Sequence, residues 1–203
     1  PLFNLAWHDD YFWDGRVRGL RNQVFHPVAD PAEMDQAPER AVEKIAAQSE
    51  YGPLFQQAFG EAMVTKERMG LALEQYLLSL ISQDSRFDRA ARGETKLTPE
   101  EQRGLELFVT ENDPARGLRG ADCFHCHGGN LFTGGQFASN GLESSPRDPG
   151  REAVTGNPAD RGKFRVPSLR NIAVTAPYMH DGRFASLEEV ISHYDHGVQR
   201  SDS

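Results

Sequence analysis

The amino-acid sequence predicts a mostly α-helical protein. In three segments, apolar residues recur at spacings of three and four behind a residue that can cap a helix, and we find no convincing strand runs. Residues 128–165 differ from these segments because they are rich in Gly, Asn, Pro and Asp and show no sustained period. A connection of that length is uncommon unless it has a function, so we expect this loop-rich stretch to wrap around a bound group.

Helices are expected near residues 40–49 and 52–60, and the clearest helix is predicted over residues 65–82. In this third helix, Thr65 is the predicted cap. The apolar positions form one stripe on its surface, which consists of Met69, Leu73, Tyr76, Leu77, Leu80 and Ile81.

Capping boxes predict where two later helices begin. Thr98 precedes Pro99 and pairs with Glu101 in the first box, and Ser186 pairs with Glu189 in the second. The residues expected to face inward on the first of these helices are Leu105, Phe108 and Val109. Those on the second are Leu187, Val190, Ile191 and Tyr194.

Length, charge and hydropathy limit the class of protein. A chain of 203 residues can form one large domain or two small ones. Its 30 acidic and 22 basic residues give a net charge of −8, which argues against nucleic-acid binding and could steer a basic protein partner. No apolar run reaches the ~20 residues that a membrane-spanning helix requires.

The two cysteines carry the strongest chemical signal. Cys123, Cys126 and His127 form the pattern Cys-x-x-Cys-His, which is the attachment signature of c-type haem. In such a site two thiols bind the porphyrin covalently and the adjacent histidine ligates the iron. Zinc remains an alternative that would need further ligands from scattered side chains, and a redox-active thiol pair is another, although no βαβ pattern surrounds it.

Several longer segments resemble one protein family. They are PLFNLAWHDDYFWDGR at 1–16, HPVADPAEM at 26–34, CFHCHGGNLFTGGQFASNGL at 123–142 and DRGKFRVPSLRNIAVTAPYMHDGRFASLEEVISHY at 160–194. With these segments in this order, nearly the whole chain resembles the bacterial di-haem cytochrome c peroxidases, including their MauG-like branch.

The resemblance implies two cytochrome c-type domains, each with its own Cys-x-x-Cys-His. Residues 1–92 would be part of the N-terminal peroxidatic domain with connecting helices. Residues 93–203 would be the electron-transfer haem domain, with its loop-rich haem-wrapping segment and without its last helix. The other haem motif is expected before residue 1, so we expect one haem in this chain, a second in the full protein, and no peroxidase turnover by this piece alone.

The resemblance also assigns roles to residues in the first part of the chain. Trp13 matches a tryptophan that carries charge between the haems. Gln23, Pro27 and Glu33 match residues that line the open face of the peroxide-binding haem, where the glutamate acts as acid and base, as a pocket carboxylate can. The residues by themselves leave a core position for Trp13 and a surface position for Glu33 open.

The second axial ligand of the iron is open between Tyr194 and Met179. Methionine supplies a soft thioether and tyrosine a phenolate, and the resemblance favours Tyr194; a histidine or no ligand are further options. The resemblance places calcium-binding backbone carbonyls at Thr175 and Pro177, and carbonyl oxygen suits that ion.

Propionate contacts are considered for three other side chains, because basic groups suit carboxylates. They are His180, Arg170 and Arg183. His8, His26 and His125 are expected at the surface or in loops.

The function implied by the resemblance is that of a periplasmic haem peroxidase, because bacteria attach this type of haem after export. Its partners would be hydrogen peroxide and a small cytochrome or copper-protein electron donor, or a protein substrate in a MauG-like version; a homodimer is left open. The alternative is a non-enzymatic mono-haem electron carrier, which would not need Gln23, Pro27 and Glu33. A zinc-binding structural module is a third hypothesis.

Overall fold

A computed structural model describes residues 2–200, which form two compact units. The N-terminal unit comprises residues 2–11 and 16–81, and the C-terminal unit comprises residues 12–15 and 82–200. This division differs from the predicted boundary after residue 92, because residues 82–92 belong to the C-terminal unit.

The N-terminal unit consists mainly of helices. Its strands β1 (Asp10–Tyr11) and β2 (Val17–Arg18) are antiparallel, with Tyr11 opposite Val17. A 3-10 turn precedes them at Leu5–Trp7. The helices are α1 (Leu20–Gln23), α2 (His26–Ala29), α3 (Pro38–Ala46), α4 (Tyr51–Phe59) and α5 (Lys66–Ser79).

The predicted cap of α5 is confirmed, because Thr65 Oγ1 accepts a hydrogen bond from the backbone N–H of Arg68. The predicted stripe is partly wrong, since Tyr76 and Ile81 are exposed. The helix ends at Ser79, so Ile81 lies beyond its last turn and no longer follows the helical period. The buried apolar residues of this unit include Leu5, Tyr11, Val17, Leu20, Val24, Phe55 and Leu77.

The C-terminal unit alternates helices with short strand pairs. Its helices are α6 (Arg86–Ala91), α7 (Pro99–Val109), α8 (Glu152–Thr155) and α9 (Leu187–Ser192). The antiparallel pairs are β3 (Asn112–Asp113) with β4 (Leu118–Arg119), and β5 (Phe137–Ala138) with β6 (Phe164–Arg165). The remaining segments are 3-10 turns at Pro114–Arg116, Cys123–His125, Pro158–Asp160 and Ile172–Val174, and a π-helical segment at His193–Gly197.

Both predicted capping boxes of this unit are confirmed. Thr98 and Glu101 exchange hydrogen bonds at the start of α7, and Ser186 and Glu189 do so at the start of α9. A third box, between Ser85 and Asp88, begins α6. The expectation that Val109 and Ile191 face inward is wrong, because both are exposed.

The loop-rich stretch predicted at 128–165 contains β5, α8, the 3-10 turn Pro158–Asp160 and β6 and is otherwise irregular. Leu142 and Phe164 are buried apolar residues of this stretch, and Val166, which follows it, is buried as well. Helices outweigh the two-residue strands, so the mostly α class is confirmed. Among the described residues, no helix is long and apolar enough to cross a membrane.

Candidate haem-binding site

Both cysteines and the adjacent histidine are presented by one tight turn. The 3-10 turn Cys123–His125 continues into Cys126, and the carbonyl of Cys123 accepts hydrogen bonds from the N–H groups of Cys126 at 3.3 Å and His127 at 2.9 Å. Both thiols are free and half-buried. The sequence spacing is therefore translated into three neighbouring donors on one turn.

Helix α7 supports this turn from its N-terminal side. The carbonyls of Leu107 and Thr110, at the end of α7, accept hydrogen bonds from the N–H groups of Ala121 and Asp122 at 2.8 and 3.1 Å. This approach requires Gly120, because a Cβ atom there would lie 1.7 Å from Thr110 O. The last helix carbonyls are thus satisfied by the residues that lead into the cysteine turn.

The residues that follow the motif support the turn from its other side. The carbonyl of Cys126 accepts a hydrogen bond from the N–H of Gly134 at 2.9 Å. The side-chain amide of Gln136 donates to the carbonyl of His125 at 3.1 Å. Hydrogen bonds from both sides therefore hold the backbone of the turn that carries the thiols and the imidazole.

The thiol of Cys123 does not have the properties of a reactive redox thiol. Burial raises its pKa, and the nearby carboxylate of Asp122 raises it further. Reactive thiols have a lowered pKa in electropositive surroundings. The surroundings of Cys123 therefore argue against the redox alternative.

His127 has the hydrogen bond that an iron-binding imidazole needs. Its Nδ1 atom lies 3.0 Å from the carbonyl oxygen of Phe132. Burial lowers the pKa of His127, while the backbone carbonyls of Phe132 and Pro167 act in the opposite direction. A neutral ring that donates from Nδ1 keeps the lone pair of Nε2 free for a metal, as metal-binding histidines do.

The carbonyl that receives this bond belongs to a residue in an uncommon conformation. Phe132 has a φ of +52°, which costs on the order of 1–3 kcal/mol for a residue that is not glycine. Its neighbours are held by the segment 166–170, because Arg170 and Ser168 donate to the carbonyls of Asn130 and Leu131. The strained conformation of Phe132 is therefore stabilised by residues 168 and 170, which lie outside its own loop.

Arg170 does not have the free guanidinium expected of a propionate partner. It forms two hydrogen bonds of 2.9 Å with Asp88, and the two side chains are only 10% and 12% exposed. Arg170 holds the pKa of Asp88 far below its usual range, and Ser85 adds to this effect. Arg183 is likewise paired with Asp181 and with Glu143.

Tyr194 and Met179, the two candidates for the second axial ligand, share a neighbour. The side-chain amide of Asn140 lies 3.3 Å from Met179 Sδ and also forms a hydrogen bond with Tyr194. Met179 has a φ of +71°. The structure thus brings both candidates to one side chain.

Several neighbouring groups influence the pKa of Tyr194. Burial raises its pKa, Cys126 and Cys123 raise it further, and the hydrogen bond from Asn140 opposes them. Tyr194 is 48% exposed, so the expectation that it faces inward is wrong.

His193 is a buried residue near this site that the sequence analysis missed. It is 8% exposed, and its Nε2 lies 2.9 Å from the carbonyl of Asn140. The helical period of α9 predicts Tyr194 on the buried face, but the chain becomes π-helical at His193–Gly197. Because a π-helix has a longer turn, the buried face shifts to His193. Helical spacing contains no signal for that change.

His180 stacks on the ring of Phe164, with centroids 3.6 Å apart and an interplanar angle of 11°. Burial lowers its pKa. Its Nδ1 is buried and has no hydrogen-bond partner. His125 is exposed and pairs with Asp122 at 3.1 Å, and His26 is also exposed, as expected.

Trp13 lies in the C-terminal unit, with the cysteine turn. Its carbonyl accepts a hydrogen bond from the N–H of Arg165 at 2.7 Å. The guanidinium of Arg151 donates to the carbonyls of Asp14 and Gly15 at 3.0 Å each and lies 4.2 Å from the ring centre of Phe137. The side chain of Trp13 is partly exposed, so a purely core position is wrong.

Gln23, Pro27 and Glu33 lie close together along the N-terminal unit. Gln23 ends α1, Pro27 is in the first turn of α2, and both are half-buried. Glu33 is exposed in the turn after α2, where the N–H of Met34 donates to the carbonyl of Pro27 at 3.2 Å. The structure therefore places Pro27 and Glu33 in one local turn.

The residues proposed for calcium lie in a single loop. Thr175 is half-buried, Pro177 is exposed, and the peptide bond between Ala176 and Pro177 is cis. Within residues 2–200, no group of three or more His, Cys, Asp or Glu side chains is placed to hold a metal ion.

The donor set fits a covalently attached haem. Two free thiols on one turn can form its two thioether bonds, and the orientation of His127 leaves one imidazole nitrogen for the iron. The hydroxyl of Tyr194 and the sulfur of Met179 supply two candidates for the opposite side of the metal.

Comparisons with known proteins identify the family of the chain. A family model described as di-haem cytochrome c peroxidase matches residues 1–96. The chain is 36% identical to cytochrome c551 peroxidase from Nitrosomonas europaea, over 94% of this chain and 55% of that protein. It is 35% identical to the methylamine utilization protein MauG from Methylorubrum extorquens, over 100% of this chain and 56% of that protein.

The fold gives the same result. The crystal structure of a MauG-like protein associated with microbial copper homeostasis matches with a TM-score of 0.85 and 33% identity, over 100% of this chain and 63% of that one. The chain spans about half the length of the two curated relatives named above. From these matches and from the cysteine turn, we conclude that the chain belongs to the family of di-haem cytochrome c peroxidases and MauG.

Proposed function

We propose that the full protein is a haem-dependent peroxidase and that this chain carries its electron-transfer haem. The observation that carries the proposal is the hydrogen bond from His127 Nδ1 to Phe132 O, in a turn that also presents two free thiols. This arrangement has the chemistry of an attachment site and an axial ligand together.

Cys123 and Cys126 would hold the haem through thioether bonds, and His127 would bind its iron through Nε2. When bound, the haem supplies a centre that exchanges single electrons between the ferric and ferrous states. Asn140 forms hydrogen bonds with both candidates for the second iron ligand, Tyr194 and Met179. We favour Tyr194, because the family resemblance favours a tyrosine at this position, its side chain forms a hydrogen bond with Asn140, and a phenolate oxygen stabilises higher oxidation states of iron.

The peroxide pocket would use residues of the N-terminal unit. Cleavage of an O–O bond requires a proton to move from the near oxygen to the departing one, and the Glu33 carboxylate can take it and return it. Gln23 and Pro27 would line the same pocket. The support from the structure is local: the Met34–Pro27 hydrogen bond keeps Pro27 and the exposed Glu33 in one turn.

Trp13 would carry charge between the two haems. Its backbone is fixed to the C-terminal unit by Arg165, and the following carbonyls of Asp14 and Gly15 are held by Arg151. A partly exposed indole on a fixed backbone is compatible with that role, because a charge relay needs a constant distance to its acceptor.

Hydrogen peroxide is the proposed oxidant, and a small cytochrome or copper protein is the proposed electron donor. A net charge of −8 favours a basic donor. In a MauG-like version, residues of a protein substrate would be oxidised instead. We place the protein in the periplasm, where bacteria attach this type of haem. We also propose a calcium ion, which the carbonyls of Thr175 and Pro177 would bind together with ligands from elsewhere in the full protein.

A mono-haem electron carrier is the alternative, and the single Cys-x-x-Cys-His in this sequence favours it. Steady-state mixing of the full-length, haem-loaded protein with hydrogen peroxide and a reduced small cytochrome separates the two. A peroxidase consumes one peroxide for every two electrons from the donor and forms two water molecules. Reversible reduction of the haem without peroxide consumption would establish the carrier.

The second axial ligand can be tested by electron paramagnetic resonance and near-infrared spectra of Tyr194→Phe and Met179→Leu in the same protein. We expect the ferric spectrum to change in Tyr194→Phe and to stay as in the wild type in Met179→Leu, because only the phenolate would bind the metal. An unchanged Tyr194→Phe spectrum together with a changed Met179→Leu spectrum would assign the sulfur instead.

A further inference from the structure

The imidazole of His127 depends on a hydrogen-bond acceptor that its own loop does not fix. The acceptor 3.0 Å from His127 Nδ1 is the carbonyl of Phe132, and Phe132 is held in a left-handed conformation. Such a conformation persists only where the surrounding structure determines it. The residues that impose it therefore control the direction of the bond to His127 Nδ1.

Arg170 makes the most extensive set of these contacts. Its Nε and Nη2 atoms donate to the carbonyl of Asn130 at 2.8 and 2.6 Å. The same guanidinium lies 5.7 Å from the ring centre of Phe132. Arg170 thus holds the chain two residues before the acceptor and also lies over the side chain of the acceptor residue.

Helix α6 fixes both Arg170 and Phe132. Asp88 binds the guanidinium through both carboxylate oxygens, and the planar fork of arginine suits such a paired contact. Asp88 is itself held by the capping box with Ser85. The adjacent Phe87 packs edge-on against the ring of Phe132, with centroids 5.1 Å apart.

Burial makes the Asp88–Arg170 pair specific rather than incidental. The side chains are 12% and 10% exposed, whereas most other ion pairs of the described residues are at the surface. A charge at such a depth requires its partner, so Arg170 has little freedom to leave this position. Asp88 therefore fixes the guanidinium of Arg170, and the guanidinium holds the segment that carries the Phe132 carbonyl.

We propose that Arg170, fixed by Asp88, is a positioning residue that sets the electron donation of His127 to the haem iron. The inference rests on the proposed function. By holding residues 130–132, Arg170 directs the Phe132 carbonyl at His127 Nδ1, and this bond makes the imidazole a more basic ligand. A more basic ligand favours the ferric state, so weakening the support raises the reduction potential of the haem.

The test uses two variants of the full-length, haem-loaded protein that leave the net charge unchanged. Arg170→Lys keeps the positive charge but loses the planar fork that reaches Asn130 and Asp88 together. The double variant Asp88→Asn/Arg170→Gln removes the pair without leaving an unpaired charge. Arg92→Lys is the matched control, because Arg92 is exposed and pairs at the surface with Asp84 and Glu94.

In the full-length protein both expected haems contribute to the Soret band, so redox titration followed there should give two transitions. The transition that is lost in Cys123→Ala/Cys126→Ala belongs to the haem bound at this site. We expect Asp88→Asn/Arg170→Gln to shift the electron-exchange equilibrium of this haem about tenfold toward the ferrous form, which is about 59 mV for one electron. Arg170→Lys should shift it less in the same direction, and Arg92→Lys should not. The electron paramagnetic resonance g values should change with the potential.

Potentials and g values of both Arg170 variants that equal those of Arg92→Lys would overturn the inference. If Asp88→Asn/Arg170→Gln does not attach haem, the potential of Arg170→Lys decides alone. Wild-type protein without a Soret band would refute the proposed function itself. Loaded wild-type and variant proteins with equal potentials would refute only the role of Arg170.

Discussion

The cysteine turn and the Glu33 turn are held in place in different ways. In the cysteine turn, carbonyls accept hydrogen bonds from Gly134 and Gln136, which lie after the motif, and the residues just before the turn donate to carbonyls at the end of α7. In the Glu33 turn, the bonds are local: Glu33 N–H donates to Asp30 O and Met34 N–H to Pro27 O.

This difference corresponds to the two kinds of chemistry proposed. A covalently bound cofactor needs ligands whose directions are fixed before it binds, and the cysteine turn provides them. A carboxylate that moves protons must reach a small molecule from solvent, and the exposed Glu33 can do so. The C-terminal unit is therefore expected to respond to mutation through cofactor binding, and the Glu33 turn through reaction rate.

The largest effect is expected in the cysteine turn. Replacing both thiols in Cys123→Ala/Cys126→Ala should abolish covalent haem attachment at this site, because no thioether bond can form. Haem staining and the absorption of denatured protein measure attachment. His125→Ala is the control, since that exposed residue lies in the same turn and should leave attachment unchanged. Covalent haem on the double variant at this site would contradict the assignment.

A smaller effect, on rate alone, is expected in the Glu33 turn. Glu33→Gln in the full-length protein should slow the reaction with hydrogen peroxide by about 10²–10⁴-fold, because the amide cannot shuttle the proton. Stopped-flow mixing measures this rate. Glu67→Gln, an exposed carboxylate in the first turn of α5, should react like the wild type. Equal rates for both variants would show that Glu33 is a surface residue without a role in the reaction.

The smallest effect is expected in the Trp13 segment. Arg151→Gln removes two charge-assisted hydrogen bonds, to the carbonyls of Asp14 and Gly15, and should lower the free energy of unfolding by about 2 kcal/mol. Urea unfolding measures the change. Arg116→Gln, at an exposed surface pair, should change it little. An equally small loss in both variants would mean that Arg151 does not hold the segment.

Features that depend on neighbouring residues could be predicted from the sequence. The caps at Thr65, Thr98 and Ser186 follow from a short pattern and a local hydrogen bond, and all three are confirmed. The box between Ser85 and Asp88 has the same pattern and was overlooked, although the signal was present. The family could also be predicted, because its segments occur in order along the chain.

Features that depend on tertiary contacts could not be predicted. Arg170 and Asp88 are 82 positions apart, so no spacing indicates their pairing. The burial of His193 depends on the change to a π-helix after Ser192, which helical periodicity does not contain. The roles of Trp13, Gln23, Pro27, Glu33 and Tyr194 stay predictions.

The assignment of residues 12–15 to the C-terminal unit has a practical consequence for chimeric proteins. A Cβ atom on Gly15 would lie 2.4 Å from the Phe137 ring and 2.5 Å from Arg151, so this short insert is fitted to its host. If the last 120 or so residues are joined to a relative's first domain, the relative's own residues at positions 12–15 will not match this unit. Residues 12–15 of this chain should therefore be transferred together with the last 120 or so residues. Designers should therefore treat the recombination unit as discontinuous.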